Sequence, residues 1–450
     1  MIVQSTSISE SISSAEFLEN VRAKTNEILK EIKEQYFEDN LPWVIGFSGG
    51  KDSTAILQLI FYAISEISEL SRKKEIHVLS NDTLVENPNI VKFLNRQLNA
   101  IEDEGKKNLY KHNPALFNVT KVTPKLEDTF WLNLIGKGYP SPNKWFRWCT
   151  ERMKINPTND YILQTVNKNG KAIIVLGTRK AESVTRAINM KRYELEGIRI
   201  RKHSLPNAYV FAPIAELSTK EVWAYLINNE NPWKIDNQEL LNVYRNASDI
   251  MDCPLVIDDT TPSCGNSRFG CWVCTVVEQD KSMQNMISNG DEWMTPLFDL
   301  RNWLKEIRND ETKREKQRRT GQDGLGPFTL TTRMEILEKL LLIEKELDME
   351  FISLPELSAI QIQWNFDGNM VYSVADIYQS IKGKKIMVSE NGQTKRKQDE
   401  YEILEKVCKK HNVNAAHVKE LMELEKENLS FLRRGTLYKD MQSKITKFLK

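Results

Sequence analysis

Between Ala15 and Phe37 apolar residues recur at Phe17, Leu18, Val21, Ile28, Leu29, Ile32 and Tyr36, a spacing that predicts an amphipathic helix. Pro42 ends that pattern. Trp43 to Phe47 then reads as a buried strand, and Ile76 to Ser80, Phe117 to Val122 and Ala172 to Leu176 as three further strands. Helical stretches lie between most of them, beginning with Ala55 to Phe61. Strands alternating with helices predict an α/β fold with a doubly wound parallel sheet. Ligands of such sheets bind beyond the carboxyl ends of the strands.

From about Asn231 the pattern changes. Residues 231–330 carry Pro232, Pro254, Pro262, Pro296 and Pro327, a cysteine cluster, and a mixed-charge stretch from Arg301 to Arg319. This reads as a cysteine-rich metal-binding lobe with little regular sheet. Beyond it, lysine and glutamate content and helical periodicity predict a mostly helical C-terminal region, interrupted near Asn365 to Asn369. The expected divisions are therefore 1–40, 41–230, 231–330 and 331–450.

With 450 residues, 40% hydrophobic and 28% charged, the chain has the composition of a globular protein with more than one core. Its longest apolar runs, such as Ile173 to Leu176, are too short for a bilayer. The first residues show no basic start followed by an apolar stretch, so a cytoplasmic location without membrane attachment is expected. Lys and Arg total 63 against 62 acids, but residues 144–202 hold 14 Lys/Arg against 5 acids. Such a segment is either a polyanion-binding face or a surface whose counter-charges come from elsewhere in the fold.

Two segments sit where strands give way to helices. The first is Ser48-Gly49-Gly50-Lys51-Asp52-Ser53, followed by Thr54. Its glycines let backbone N–H groups approach phosphate oxygens, and the next helix offers its positive end to the same anion. Ser48, Ser53 and Thr54 supply hydroxyls and Lys51 a cation, while Asp52 suits a Mg²⁺ ion better than a phosphate. The spacing is not that of a Walker A loop. The second is Gly177-Thr178-Arg179-Lys180-Ala181-Glu182-Ser183-Val184-Thr185-Arg186, in which Gly177 permits close approach and Arg179 and Arg186 have the fork that binds oxyanions.

Of six cysteines, Cys264, Cys271 and Cys274 have C-x₆-C-x₂-C spacing, which favours a metal over disulfides in a chain of this size. A fourth ligand must come from Cys149 or Cys253. Cys408 reads as a small residue in a helix. The spacing alone accommodates structural zinc or an iron–sulfur cluster.

The first turn resembles the SGGxDS signature of PP-loop ATP pyrophosphatases, the adenine nucleotide alpha hydrolase-like class. The second resembles the G-x-R-x-x-[DEQ]-S-x-x-R element of the PAPS reductase family. Asn81-Asp82-Thr83 sits where relatives place a nucleotide contact, and the proline-led run from Pro213 into the helix containing Trp223 is a further landmark. With Arg147-Trp148-Cys149-Thr150-Glu151-Arg152-Met153-Lys154 and the segment Cys264 to Cys274, the chain is similar to the PAPS-reductase-like proteins of bacterial DNA phosphorothioation systems.

That resemblance implies Mg²⁺ and ATP at Ser48, Gly49, Gly50, Lys51, Asp52, Ser53, Thr54, Asp82, Gly177 and Ser183, with Lys51, Asp52, Arg179 and Arg186 in catalysis. It implies a [4Fe-4S] cluster, with zinc as the alternative, on Cys149, Cys264, Cys271 and Cys274. DNA would be the substrate, a cysteine desulfurase the sulfur donor, and other components of the same system the partners. The chain departs from cluster-bearing sulfonucleotide reductases, which have adjacent cysteines where Trp148 precedes Cys149, and nothing after Cys408 matches their catalytic cysteine. A tRNA thiolase, a sulfonucleotide reductase and a non-catalytic nucleotide-binding subunit are the competing readings.

Overall fold

The computed structural model describes residues 15–182, 188, 199–246, 270–368, 373–386 and scattered positions between 407 and 446. Helix α1 (Ala15–Glu38) buries the stripe Val21, Ile28, Ile32 and Tyr36. Strand β1 (Trp43–Gly46) then leads through the glycine turn into α2 (Lys51–Ser65). After them come β2 (Ile76–Asn81), α3 (Pro88–Glu104), β3 (Phe117–Val122), α4 (Asn156–Asn169) and β4 (Ala172–Val175). The sheet is completed by β5 (Arg201–Lys202) and β6 (Ala208–Phe211), two strands absent from the sequence reading.

Strand order is β3-β2-β1-β4-β6-β5. All pairings are parallel except β5 with β6. Trp43 of β1 lies level with Ile76 of β2 on one side and with Ile173 of β4 on the other. The chain runs outward from β1 through β2 to β3, then returns to the opposite side of β1 for β4. That reversal opens a crevice between the carboxyl ends of β1 and β4. Both glycine-bearing turns leave the sheet there.

Side-chain alternation assigns the two faces. Trp43 and Ile45, with Ile173 and Val175, join a core built with α1, α2 and α3. Val44 and Ile174 face the other way, into a smaller core with Ile162 and Val166 of α4. Burial on both faces explains why these strands are continuous apolar runs. Next in the chain is α5 (Thr219–Asn228), which starts with a reciprocal capping box between Ser218 and Glu221. Glu221 also takes a 2.6 Å ion pair from Lys24 of α1.

Beyond the sheet lie α6 (Asn237–Asn246), α7 (Lys281–Ser288) and α8 (Thr295–Ile307), then α9 (Leu330–Leu347), α10 (Leu354–Phe366) and α11 (Val374–Lys382). By contact, the chain divides into two compact units. The first comprises Met1–Leu134, Pro140–Arg308 and Ile343–Phe351, so α1, the sheet and α6 to α8 share one unit. The second comprises Ile135–Tyr139, Asn309–Leu342 and Ile352–Lys450. Within it Trp364 is fully buried and its indole N–H donates to the Ile135 carbonyl at 2.9 Å. No helix among the described residues is long and apolar enough to cross a membrane.

Candidate functional site

The turn from β1 to α2 is held open by its own side chains. Gly49 has φ +72°, a conformation natural to glycine, and a Cβ there would meet Leu94 of α3 at 3.0 Å. Ser53 Oγ donates to the Gly50 carbonyl at 2.9 Å and lies 3.2 Å from Ser48 Oγ. The first rung of the α2 ladder is Thr54 N–H to Gly50 C=O. The N–H groups of Lys51, Asp52 and Ser53 therefore stand outside the ladder, at the positive end of a 15-residue helix.

Asp52 is the electrostatic centre of this turn. Arg179 Nε donates to its Oδ1 at 2.7 Å, and Lys51 Nζ lies 3.1 Å from Oδ2. Lys51 is buried and Arg179 is 0% exposed. The rest of the Arg179 fork is also engaged: Nη1 donates to the Leu217 carbonyl at 3.0 Å and Nη2 to Thr219 Oγ1 at 3.1 Å. These contacts place three of the five guanidinium N–H donors on protein acceptors. Its Nε contact braces the Asp52 carboxylate. A carboxylate has about four lone-pair sites, so two remain for a Mg²⁺ ion after the two cations are served; the donor fits the metal.

Gly177 completes the contact between the two turns. A Cβ on it would lie 2.7 Å from the Asp52 carbonyl oxygen and 2.8 Å from its carbon. Only hydrogen fits there. Ser183 and Arg186 lie outside the described residues, as do Cys253 and Cys264. Asp82, after β2, pairs with Lys121 at 2.9 Å and accepts the Leu84 N–H at 2.8 Å, so it shapes its own turn.

The cysteine segment docks on that same turn after β2. Glu86 and Cys271 form an antiparallel bridge, Trp272 N–H donates to Val85 C=O at 3.0 Å, and Asn87 N–H donates to Gly270 C=O at 3.2 Å. Cys271 and Cys274 thus sit at the carboxyl end of a strand adjacent to β1. Thr83 Oγ1 is 3.2 Å from Cys271 Sγ, and Lys154 Nζ is 3.5 Å from Glu86. Burial pushes the Cys149 thiol up from its ordinary pKa, and neighbouring Cys274 acts in the same direction. Burial raises Cys271 as well, with Glu86 and Cys274 adding to it. Cys271, followed by Glu86 and Cys274, holds the Lys154 ammonium above its usual value. The three thiols and Lys154 therefore share one electrostatic neighbourhood. Among the described residues, no group of three or more His, Cys, Asp or Glu is arranged to hold an ion. Trp148, beside Cys149, is core: its ring stacks on Phe130 at 5.3 Å and its N–H donates to Pro140. Cys408 is buried.

Residues missed by the sequence reading hold the cysteine turn in place. Arg301 of α8, 0% exposed, donates to the carbonyls of Cys274, Val277 and Glu278. Arg308 reaches Thr275 and Pro142 carbonyls at 3.0 and 2.8 Å. In the sequence these arginines merge with a mixed-charge stretch. Arg301→Lys keeps the cation but cannot reach several carbonyls at once, so a loss of about 2 kcal/mol is expected. A thermal melt against wild type checks it; an unchanged midpoint would remove the clamp role.

Of the fourteen cations in the basic stretch, five pair with acids from elsewhere in the fold. Arg152 pairs with Asp128, Lys154 with Glu86, Lys168 with Glu75, Lys180 with Glu216, and Arg199 with Glu34 and Glu38. Surface pairs of this kind contribute little stability, but they reduce the charge offered to a polyanion.

The sequence profile of the phosphoadenosine phosphosulfate reductase domain matches residues 42–277. An uncharacterized protein of Methanocaldococcus jannaschii is 25% identical over 247 residues, which is 55% of this chain and 39% of that protein. The chain thus spans about two-fifths of the length of that curated relative. The crystal structure of phosphoadenylyl-sulfate (PAPS) reductase from Candida auris, a phosphate complex, aligns with 51% of this chain and 93% of its own at 14% identity and a TM-score of 0.28.

Proposed function

Because the chain belongs to the phosphoadenosine phosphosulfate reductase domain family, we propose that it is an ATP pyrophosphatase and sulfurtransferase acting in DNA backbone phosphorothioation. One observation carries the reading. The glycine turn and Gly177 meet at the crevice between β1 and β4, and Cys271 is bridged to the loop after β2 at the same end of the sheet.

In this reading the loop N–H groups and Lys51 bind the polyphosphate of ATP, and Asp52 would hold Mg²⁺, which supplies positive charge for the phosphoryl oxygens. A non-bridging oxygen of the DNA phosphate attacks the α-phosphorus, the bond to the β-phosphate bridging oxygen breaks, and pyrophosphate leaves. A sulfur nucleophile then displaces AMP, which carries the original oxygen away. Sulfur arriving as a persulfide from a cysteine desulfurase forms a P–S–S–R linkage, whose S–S bond a thiol reductant cleaves to leave the phosphorothioate and a disulfide. Cys149, Cys264, Cys271 and Cys274 would hold the [4Fe-4S] cluster or zinc. An iron–sulfur cluster supplies a redox-active, sulfur-binding centre, whereas zinc supplies only a thiolate scaffold.

The test supplies ATP, Mg²⁺, a cysteine desulfurase and ³⁵S-cysteine to the anaerobically purified chain together with its system's other components, offering DNA and tRNA in parallel. Label in DNA with matching pyrophosphate release is expected. Label confined to tRNA would assign a thiolase instead, and nucleotide binding without turnover would assign a non-catalytic subunit. Iron and sulfide in the wild type should fall to background in Cys271→Ser and Cys274→Ser; a colourless, zinc-loaded wild type would replace the cluster with zinc.

A further inference from the structure

Tyr244, in the last turn of α6, reaches the nucleotide turn from 193 residues away in sequence. Its hydroxyl accepts the Lys51 N–H at 3.2 Å, and its ring lies 5.7 Å from Lys51 Nζ. A Cβ on Gly50 would come 3.3 Å from the same hydroxyl. The phenol oxygen thus stands at the open end of α2, on a donor that the proposed polyphosphate needs. Its support comes from residues outside the turn. The ring packs edge-on against Trp223 at 5.1 Å and 88°. The start of α6 is pinned by Asn237, which accepts from Gln58 at 2.7 Å and donates to Leu226 C=O at 2.8 Å.

We propose that the Tyr244 hydroxyl stands in for a phosphate oxygen: it occupies the Lys51 N–H before nucleotide arrives, and the polyphosphate must displace it to bind. This rests on the reading of Ser48 to Thr54 as the nucleotide site. A neutral hydroxyl is the weaker acceptor at a helix N-terminus beside a lysine, so an anion wins the exchange. The displaced contact still opposes binding. One neutral hydrogen bond corresponds to about a fivefold effect on affinity.

Tyr244→Phe removes the hydroxyl and keeps the ring against Trp223. Calorimetric titration in Mg²⁺ with α,β-methylene-ATP, and separately with inorganic pyrophosphate, should show the variant binding both about fivefold more tightly than wild type. Weaker binding would make the hydroxyl a nucleotide ligand, and equal binding would make it a bystander; either result overturns the proposal. If the folded wild type binds neither probe, the nucleotide reading fails first and this proposal falls with it.

Discussion

Asp52→Asn should leave the chain folded and lower pyrophosphate release from ATP by about a hundredfold or more. The substitution changes charge with little change in shape. The amide oxygen still accepts from Arg179 Nε, which lies 2.7 Å from the carboxylate in the native chain. Three things are lost together: the anionic oxygen for Mg²⁺, the partner of Lys51, and the neutralisation of a guanidinium that is 0% exposed. Removing one member of such a buried pair costs about 3 kcal/mol, because the remaining charge is left in low dielectric. A lower melting temperature should therefore accompany the catalytic loss. Pyrophosphate assays run well below the variant's unfolding midpoint separate the two effects. Release at the wild-type rate from a stably folded variant would end the pyrophosphatase reading. Arg179→Lys provides the contrast. It keeps a cation near Asp52 but drops the contacts to Leu217 and Thr219, so its defect should be mainly in stability and in the orientation of Asp52.

The sequence is a good guide where the determining forces are local. Strands β1 and β4 could be read because burial on both faces demands unbroken apolar runs such as Ile173 to Val175. The glycine turn could be read because its donors, hydroxyls and positive φ all lie within seven residues. Strand β5 could not, since two polar residues at an antiparallel edge have no periodicity to detect. Nor could the arginines be sorted by role. Arg179 has the fork expected of an oxyanion ligand, but its partners Leu217 and Thr219 lie 38 and 40 residues further along. Glu86 and Cys271 are brought together across 185 residues, and Tyr244 meets Lys51 across 193. Such pairings depend on the tertiary fold, which residue spacing does not encode. The basic stretch illustrates the same point in reverse, since its acidic partners come from α1, β3's following loop and other distant segments.

Gly177→Ala should be the most damaging single methyl group in the site. The added Cβ would lie 2.7 Å from the Asp52 carbonyl oxygen, 2.8 Å from its carbon and 3.2 Å from Ser53 N. All three are backbone atoms in the first turn of α2, so no side chain can rotate away. Either β4's following turn or the α2 N-terminus must shift. Overpacking of this sort costs about 1–3 kcal/mol in stability. The larger expected effect is catalytic, since moving Asp52 and the adjacent N–H groups by even about an ångström costs on the order of a hundredfold in rate. Gly46→Ala is the matched control. Its Cβ would meet Leu176 Cδ2 at 3.1 Å, the end of a side chain that can yield, so pyrophosphate release should stay within about threefold of wild type. Equal damage from both substitutions would show general intolerance in the sheet core. Near-normal turnover in Gly177→Ala would mean that the contact between the two turns does not position Asp52.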